Sequence, residues 1–237
     1  METIFIKEGD NLQEKIDEAI LKSSKLVIKK GLYETTPLFI KGALTLEFEE
    51  GATLLATTNE ALYQNIKTRV AGIEMEWYPA LLNVIGTSNV TIKGQGILDG
   101  NGPYWWNKYW GLDMKGGYRK IYDEKGLRFA ADYDCKRPRN LLVQNSSNVK
   151  IYDITSTSSG FWNIHILYSN DILIENVKIK SEAINSPSTD GIDIDSSYNV
   201  VVNKVETNCN DDSVCIKSGR DFDGIRVGRP SHDITIS

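Results

Sequence analysis

Ile164-His165-Ile166-Leu167, followed by Asn170-Asp171-Ile172-Leu173-Ile174, is one unit of a repeat. Each half carries the period-two alternation of a half-buried strand, and a short turn with Asn or Asp joins the halves. The unit recurs as Leu82-Asn83-Val84-Ile85 with Asn89-Val90-Thr91-Ile92, and as Leu142-Val143-Gln144 with Asn148-Val149-Lys150-Ile151. It recurs again as Ile192-Asp193-Ile194 with Asn199-Val200-Val201-Val202, and His232-Asp233-Ile234-Thr235-Ile236 supplies a further second half. Taking Asn148, Asn170, Asn199 and His232 as the turn positions gives intervals of 22, 29 and 33 residues. A drifting period of this size means a solenoid whose loops differ in length at one corner. Asn at successive turns tolerates a left-handed backbone and can hydrogen-bond along the stack. The chain therefore reads as all-β, a single parallel β-helix domain over residues 1–237.

The two ends differ. Leu12, Ile16, Ala19 and Ile20 follow helical spacing behind Asp10 or Asn11 as a cap, so a helix is expected to cover the first coil. At the other end the chain stops at Ser237, straight after an alternating strand. This reads as the N-terminal part of a longer protein, its β-helix incomplete there, with an unpaired strand edge left open.

With 237 residues the chain can bury one sizeable core, and 41% hydrophobic with 25% charged residues is the balance of a soluble globular domain. The net charge of −5 argues against nucleic acid as the main partner, yet a local basic patch could still hold an anionic ligand. No apolar run is long enough to span a bilayer, so no membrane partner is expected. Met1-Glu2-Thr3-Ile4-Phe5-Ile6-Lys7 lacks the pattern of a signal peptide. A cytoplasmic location follows, or an extracellular one if a leader has been removed. Cys135, Cys209 and Cys215 are odd in number and lack zinc-ligand spacing, so they read as reduced thiols.

Chemistry concentrates in two acidic clusters, Ser188-Thr189-Asp190-Gly191-Ile192-Asp193-Ile194-Asp195 and Asn210-Asp211-Asp212-Ser213-Val214-Cys215-Ile216-Lys217. Pairing Ile192 with Val214 and Ile194 with Ile216 sets Asp190 level with Asp212, an offset of 22 residues. Adjacent strands lie roughly 4.8 Å apart, so carboxylates from neighbouring coils can act on one bond. Such crowding raises at least one pKa, which suits acid–base cleavage of a glycoside. The plainer reading is that these are turn residues, where Asp is common.

Basic residues follow the second cluster: Lys217, Arg220, Arg226 and Arg229. Lys217 has the outward phase of its strand and either faces a groove or stacks over Asp195. The arginines either contact an anionic substrate or pair locally with Asp221 and Asp223. His165 also points outward, level with Asp193, as a groove wall or as a surface pair. Tyr104-Trp105-Trp106-Asn107-Lys108-Tyr109-Trp110 reads as a loop packing its aromatics on the side of the barrel, rather than as a sugar-stacking surface. Lys136, Arg137 and Arg139 either approach the groove or form a solvated basic loop.

Taken together, these residues make the chain resemble the polygalacturonase family of glycoside hydrolases, family 28, from about Asn83 to Ser237. The resemblance rests on Gly94-Gln95-Gly96-Ile97-Leu98-Asp99-Gly100 with Trp105-Trp106, on Arg137-Pro138-Arg139, and on Phe161-Trp162-Asn163-Ile164-His165. Thr189-Asp190-Gly191 and Asn210-Asp211-Asp212 are its most specific parts. Ser218-Gly219-Arg220-Asp221 and Val227-Gly228-Arg229-Pro230 are similar to bacterial, exo-acting members. There are two departures. Ser188 stands where the family has Asn, and the family's downstream Gly-His-Gly and Arg-Ile-Lys motifs do not occur.

The resemblance implies a right-handed parallel β-helix of the pectin-lyase-like type that cleaves α-1,4-galacturonosidic bonds, without cofactor or metal. Galacturonan or an oligogalacturonide would be the substrate, attacked by exo action, with the 101–140 insertion walling one end of the groove. Asp211 would be the general acid, and Asp190 with Asp212 would activate water for inversion across a carboxyl separation of roughly 6.5–9.5 Å. His165, Lys217 and Arg220 would contact substrate. Two other classes compete: a calcium-dependent pectate lyase, in which Asp190, Asp211 and Asp212 would imitate a calcium site, and a non-catalytic carbohydrate-binding or adhesin module. An unsaturated product marks the first, and binding without turnover the second.

Overall fold

Three parallel sheets wind through a computed structural model that describes residues 3–237. An eight-stranded sheet runs in coil order from Ile4–Ile6 through Lys25–Ile28, Leu44–Phe48, Ser88–Gly94, Ser147–Tyr152, Asn170–Glu175 and Tyr198–Asn203 to His232–Ile236. A six-stranded sheet runs from Gly31–Thr35 to Glu206–Asn208, and another from Leu38–Ile40 to Val214–Lys217. Each step along a sheet is one turn of the chain, which makes the architecture a parallel β-helix.

The alternation seen in the sequence sets the register. Leu26, Leu46, Ile92, Ile151, Ile174 and Val202 stack as one inward row across the first sheet. All six are buried in a core that runs the length of the coil. A slip of one residue would turn every such row outward, so the pattern leaves a single pairing.

Asn89, Asn148, Asp171, Asn199 and Asp233 take the left-handed turn position, with φ of 50–60°. Asn148 Nδ2 donates to Asn89 Oδ1 at 2.7 Å, and Asn199 Nδ2 donates to Asp171 Oδ1. The stack corrects two expected positions, since His232 pairs with Tyr198 in the ladder and Asp233 takes the turn. Asn170 pairs with Ser147 and Tyr198 in the ladder, so Asp171 is the turn residue, and the intervals become 23, 28 and 34. Asp and Asn both accept this conformation, and the inward phase of Ile172 chooses between them.

The helix Leu12–Lys22 closes one end, with Asn11 as its cap: the Asn11 side chain accepts from the Glu14 amide at 3.2 Å. Leu12, Ile16 and Ala19 are its buried face.

Residues 101–140 are helical where a loop was expected, with helices Gly102–Trp110, Gly117–Glu124 and Ala131–Asp134. Pro103 in the first turn and Gly111 after the last delimit the first of these. It buries Trp105, Trp106 and Tyr109, and the Trp106 indole donates to the Ser159 carbonyl at 2.8 Å. The aromatic run is thus packed against the coil, as the plainer reading had it. Among the described residues no helix is long and apolar enough to cross a membrane, and all three cysteines are free.

One antiparallel element stands outside the coil. Ile66–Val70 and Ile73–Trp77 form a hairpin closed by Ala71 and Gly72, both at positive φ, the two-residue turn whose twist suits a hairpin.

Candidate active site

Ile192 pairs with Val214 and Ile194 with Ile216, as the alternation requires. The ladder continues upstream of these strands. The Asn163 amide donates to the Asp190 carbonyl at 2.8 Å, and the Gly191 amide to the Asp212 carbonyl at 2.8 Å. Arg139, Trp162, Asp190 and Asp212 therefore form one column on four successive coils. Asp190 and Asp212 stand on neighbouring coils, with Asp211 beside them. Each of the three acids offers an oxygen within 4.8 Å of the others. This is a distance between nearest oxygens, a different measure from the roughly 6.5–9.5 Å expected between two inverting carboxyl groups.

Gly191 has a local reason to be glycine. A β-carbon there would lie 2.3 Å from the Ser213 carbonyl of the next coil. The close approach that brings Asp190 over Asp212 leaves no space for a side chain between them.

Asp190 is held from below. Asn163 Nδ2 donates to the Asp190 carbonyl at 3.0 Å, and Asn163 Oδ1 accepts from Ser156 and Ser181 at 2.8 and 3.1 Å. Arg137, fully buried, donates to the Pro187 carbonyl at 2.6 Å and to Asp132 at 2.5 Å. Asp132 in turn accepts from Ser188 Oγ at 2.8 Å. Ser188 has φ of 56°, a left-handed conformation that Asn adopts more readily, which gives a physical reason for Asn at this place in the resembling family. Neither Arg137 nor Arg139 belongs to a solvated loop; both are wholly buried. Nothing in the sequence marked Asn163 as a support of the site, although it lies within a quoted motif.

Burial pushes the Asp190 carboxyl up to about 6; Lys217 opposes the rise and Asp211 adds to it. Asp193, fully buried, is raised well above the usual range by burial and then by Asp190. Asp211 and Asp212 are exposed.

Lys217 is level with Asp195, as expected, but its ammonium is engaged elsewhere. It hydrogen-bonds Asp193 Oδ1 and lies 3.4 Å from Asp190 Oδ2, over the Trp162 ring at 4.7 Å. Asp195 is taken by the hairpin: Arg69 Nη1 reaches Asp195 Oδ1 at 2.9 Å and Ser196 Oγ at 2.7 Å. Sequence reasoning passed over Arg69, although the two-residue turn at Ala71-Gly72 between alternating segments is a hairpin signal.

His165 is level with Asp193 in the sheet, yet it is neither a surface pair nor an open groove wall. It is fully buried, with Nδ1 2.7 Å from Arg139 Nη1 and Nε2 3.7 Å from Asp195 Oδ2. Arginine can only donate, so Nδ1 is the acceptor and the hydrogen sits on Nε2. At 3.7 Å the second contact is too long for a hydrogen bond. Burial pushes His165 down to about 4, against the pull of Asp195, and the ring is neutral near pH 7.

Of the arginines after Lys217, Arg220 and Arg226 meet the hairpin. The Arg220 amide donates to the Gly72 carbonyl at 3.0 Å, and its exposed guanidinium meets Asp221 and the Tyr133 hydroxyl. Arg226 pairs with Glu74 and Asp223, and Arg229 lies over the Tyr168 ring. Two cavities of about 570 and 540 Å³ border the hairpin, and neither is lined by Asp190, Asp211 or Asp212. Asp190, Asp193 and Cys215 also come within 4.8 Å of one another, but Lys217 already neutralises that group.

The sequence profile described as Glycosyl hydrolases family 28 matches residues 64–236. The chain is 28% identical over 219 residues to a "Probable polygalacturonase" of Vitis vinifera, covering 90% of this chain and 40% of that protein. It is 26% identical over 238 residues to an exo-poly-alpha-D-galacturonosidase of Dickeya chrysanthemi, covering 88% of this chain and 39% of the relative. The crystal structure of a hyperthermoactive exopolygalacturonase from Thermotoga maritima superposes with a TM-score of 0.79 at 28% identity, over 94% of this chain and 56% of that one. The chain thus spans less than half the length of these two curated relatives. With a profile match across residues 64–236, most of its length, the chain belongs to glycosyl hydrolases family 28.

Proposed function

We propose that this chain carries the acid–base centre of a glycoside hydrolase that cleaves α-1,4-galacturonosidic bonds in galacturonan or oligogalacturonides. The observation that carries the reading is the meeting of Asp190, Asp211 and Asp212 within 4.8 Å, from two coils. Asp211, beside Asp190 and Asp212, is the general acid that protonates the leaving oxygen. Asp190 and Asp212 hold and activate the attacking water. A carboxyl poised near 6 can act as a base at mildly acidic to neutral pH.

The column also favours exo action. Arg139 and Trp162 are buried on the coils before Asp190, and the hairpin covers this face through Arg69. The hairpin closes that side of the column, where a chain end fits better than a chain interior. The wall comes from the hairpin as well as from the 101–140 insertion, which reaches it through Tyr133. The Dickeya and Thermotoga relatives carry exo-acting names, which supports the same reading.

A retaining rival with a carboxylate nucleophile calls for carboxyl groups roughly 5–5.5 Å apart, and the anomer of the first product separates it from inversion. The lyase class remains distinguishable by an unsaturated, chelator-sensitive product. Asp211→Asn in the complete protein is the direct test: turnover should fall about 10²–10⁴-fold with substrate affinity nearly unchanged. Near-normal turnover would overturn the assignment.

A further inference from the structure

We propose that Lys217, anchored by Asp193, is a positioning residue that serves Asp190 from within the protein and does not bind the substrate carboxylate. Its catalytic consequence rests on the hydrolase reading above; its electrostatic core does not.

The geometry leaves Lys217 little freedom. Its side chain is 19% exposed, that of Asp190 8%, and that of Asp193 not at all. The ammonium has three donors and no acceptor. One goes to Asp193 Oδ1, a second faces Asp190 Oδ2 at 3.4 Å, and the indole face of Trp162 closes over the charge. Asp193 Oδ2 has no hydrogen-bond partner, so Lys217 is the only cation paired with this buried carboxylate among the described residues. A sugar carboxylate that drew Lys217 outward would leave the fully buried Asp193 carboxyl without its hydrogen-bonded cation, which is costly.

The charges around Asp190 make the role specific. Lys217 and Cys215 face it from the strand Val214–Lys217, and Asp193 from its own strand. Asp211 and Asp212 lie beside it, with Cys209 close enough to feel its charge. Arg137 holds the backbone three residues upstream, at Pro187. Among the described residues Lys217 is therefore the one cation paired with Asp190, set among several acids. Burial alone would lower the Lys217 pKa, but Asp193 and Asp190 together outweigh it and hold the ammonium above its ordinary value. Without that ammonium, Asp190 and Asp193 would tend to share a proton, as closely spaced carboxyls do. A protonated Asp190 could not activate water.

Two substitutions should move the Asp190 titration in opposite directions, read by carboxyl carbon NMR on the chain itself. Lys217→Met, which keeps the length and removes the charge, should raise the midpoint by about one pH unit or more. Asp193→Asn should lower it, because the carboxyl that competes for Lys217 is lost and the ammonium is freed toward Asp190. Lys217→Arg should stay near the parent and guards against a Met variant that folds poorly. In the complete protein, Lys217→Met should shift the acidic limb of the kcat/KM profile upward with little change in KM. An unmoved Asp190 midpoint with a KM raised tenfold or more would overturn the proposal and return Lys217 to substrate binding. If Asp211→Asn remains active, the hydrolase reading fails while the titration still decides the role of Lys217.

Discussion

Arg69 and Asp195, 126 residues apart in sequence, meet at 2.9 Å with no exposed surface on either side chain. With Arg139 to Thr68 and Tyr168 to Glu74, this pair ties the hairpin to the outward face of the coil, where His165 and Arg139 are buried. The Arg69 guanidinium also lies 4.9 Å from the Tyr168 ring centre.

Breaking the pair from one side leaves a buried charge alone. Arg69→Met is expected to destabilise the fold by about 3–5 kcal/mol, whereas Arg69→Met combined with Asp195→Asn should recover a sizeable part. Denaturant unfolding of the two single variants and the double variant measures the coupling. A loss below about 1 kcal/mol for Arg69→Met would mean that the hairpin is held by its other contacts.

His165 should make stability sensitive to acid. Its folded pKa of about 4 lies below the roughly 6.5 of an exposed histidine, so between these values the unfolded chain binds a proton that the native chain does not. Stability from this group falls as pH drops through that window. Asp190 and Asp193, raised by burial, act in the opposite sense, because the native chain takes up their protons first. Comparing parent with His165→Asn isolates the first effect. The parent should lose up to roughly 3 kcal/mol relative to the variant between pH 7 and 4. A difference that is flat with pH would show that His165 titrates normally.

Asn163 and Asn140 are a matched pair for separating support of the site from support of the coil. Asn140 Nδ2 donates to the Leu98 and Thr157 carbonyls and to Ser156 Oγ. Asn163 makes similar bonds but adds the Asp190 carbonyl. Alanine at either position should cost about 2 kcal/mol in stability through the buried partners left unmet. Turnover by the complete protein, assayed well below the unfolding temperature, should fall at least tenfold more for Asn163→Ala. Equal losses would remove Asn163 from the positioning of Asp190.

Product analysis tests stereochemistry and mode of attack together. Early products from the complete enzyme should carry the inverted anomer by proton NMR, and small products should accumulate from one end of the substrate. A retained anomer would identify a carboxylate nucleophile in the compact cluster. A ladder of intermediate oligomers at early times would contradict exo action.

Several levels of organisation were legible in the residues alone. Period-two alternation, with Asn or Asp at each turn, specified parallel coils because only one register buries every inward Ile, Leu and Val. The same register sets Asp190 level with Asp212 from the residues alone, and helical spacing behind Asn11 marks the closing helix. Where local pattern was weaker the reading erred. The turn position fell on Asn170 in place of Asp171, since both residues accept the same backbone, and the aromatic run was read as a loop although Pro103 and Gly111 bound a helix.

What only the tertiary structure decided is where the outward side chains go. Alternation says that His165, Asp193, Asp195 and Lys217 leave the coil, but it cannot say whether water or protein meets them. The hairpin Ile66–Val70 with Ile73–Trp77 folds back over that face and converts expected groove residues into a buried charge network. Asp195 then pairs with Arg69, while Lys217 turns to Asp193 and Asp190. These partners come from coils or segments far apart in the chain, and a long side chain can reach any of several charges within a few ångströms. Strand register is set by period and burial, which are local properties of the sequence. Ion-pair choice is set by which charges remain unpaired once the coil and the hairpin have packed, and that depends on the whole fold.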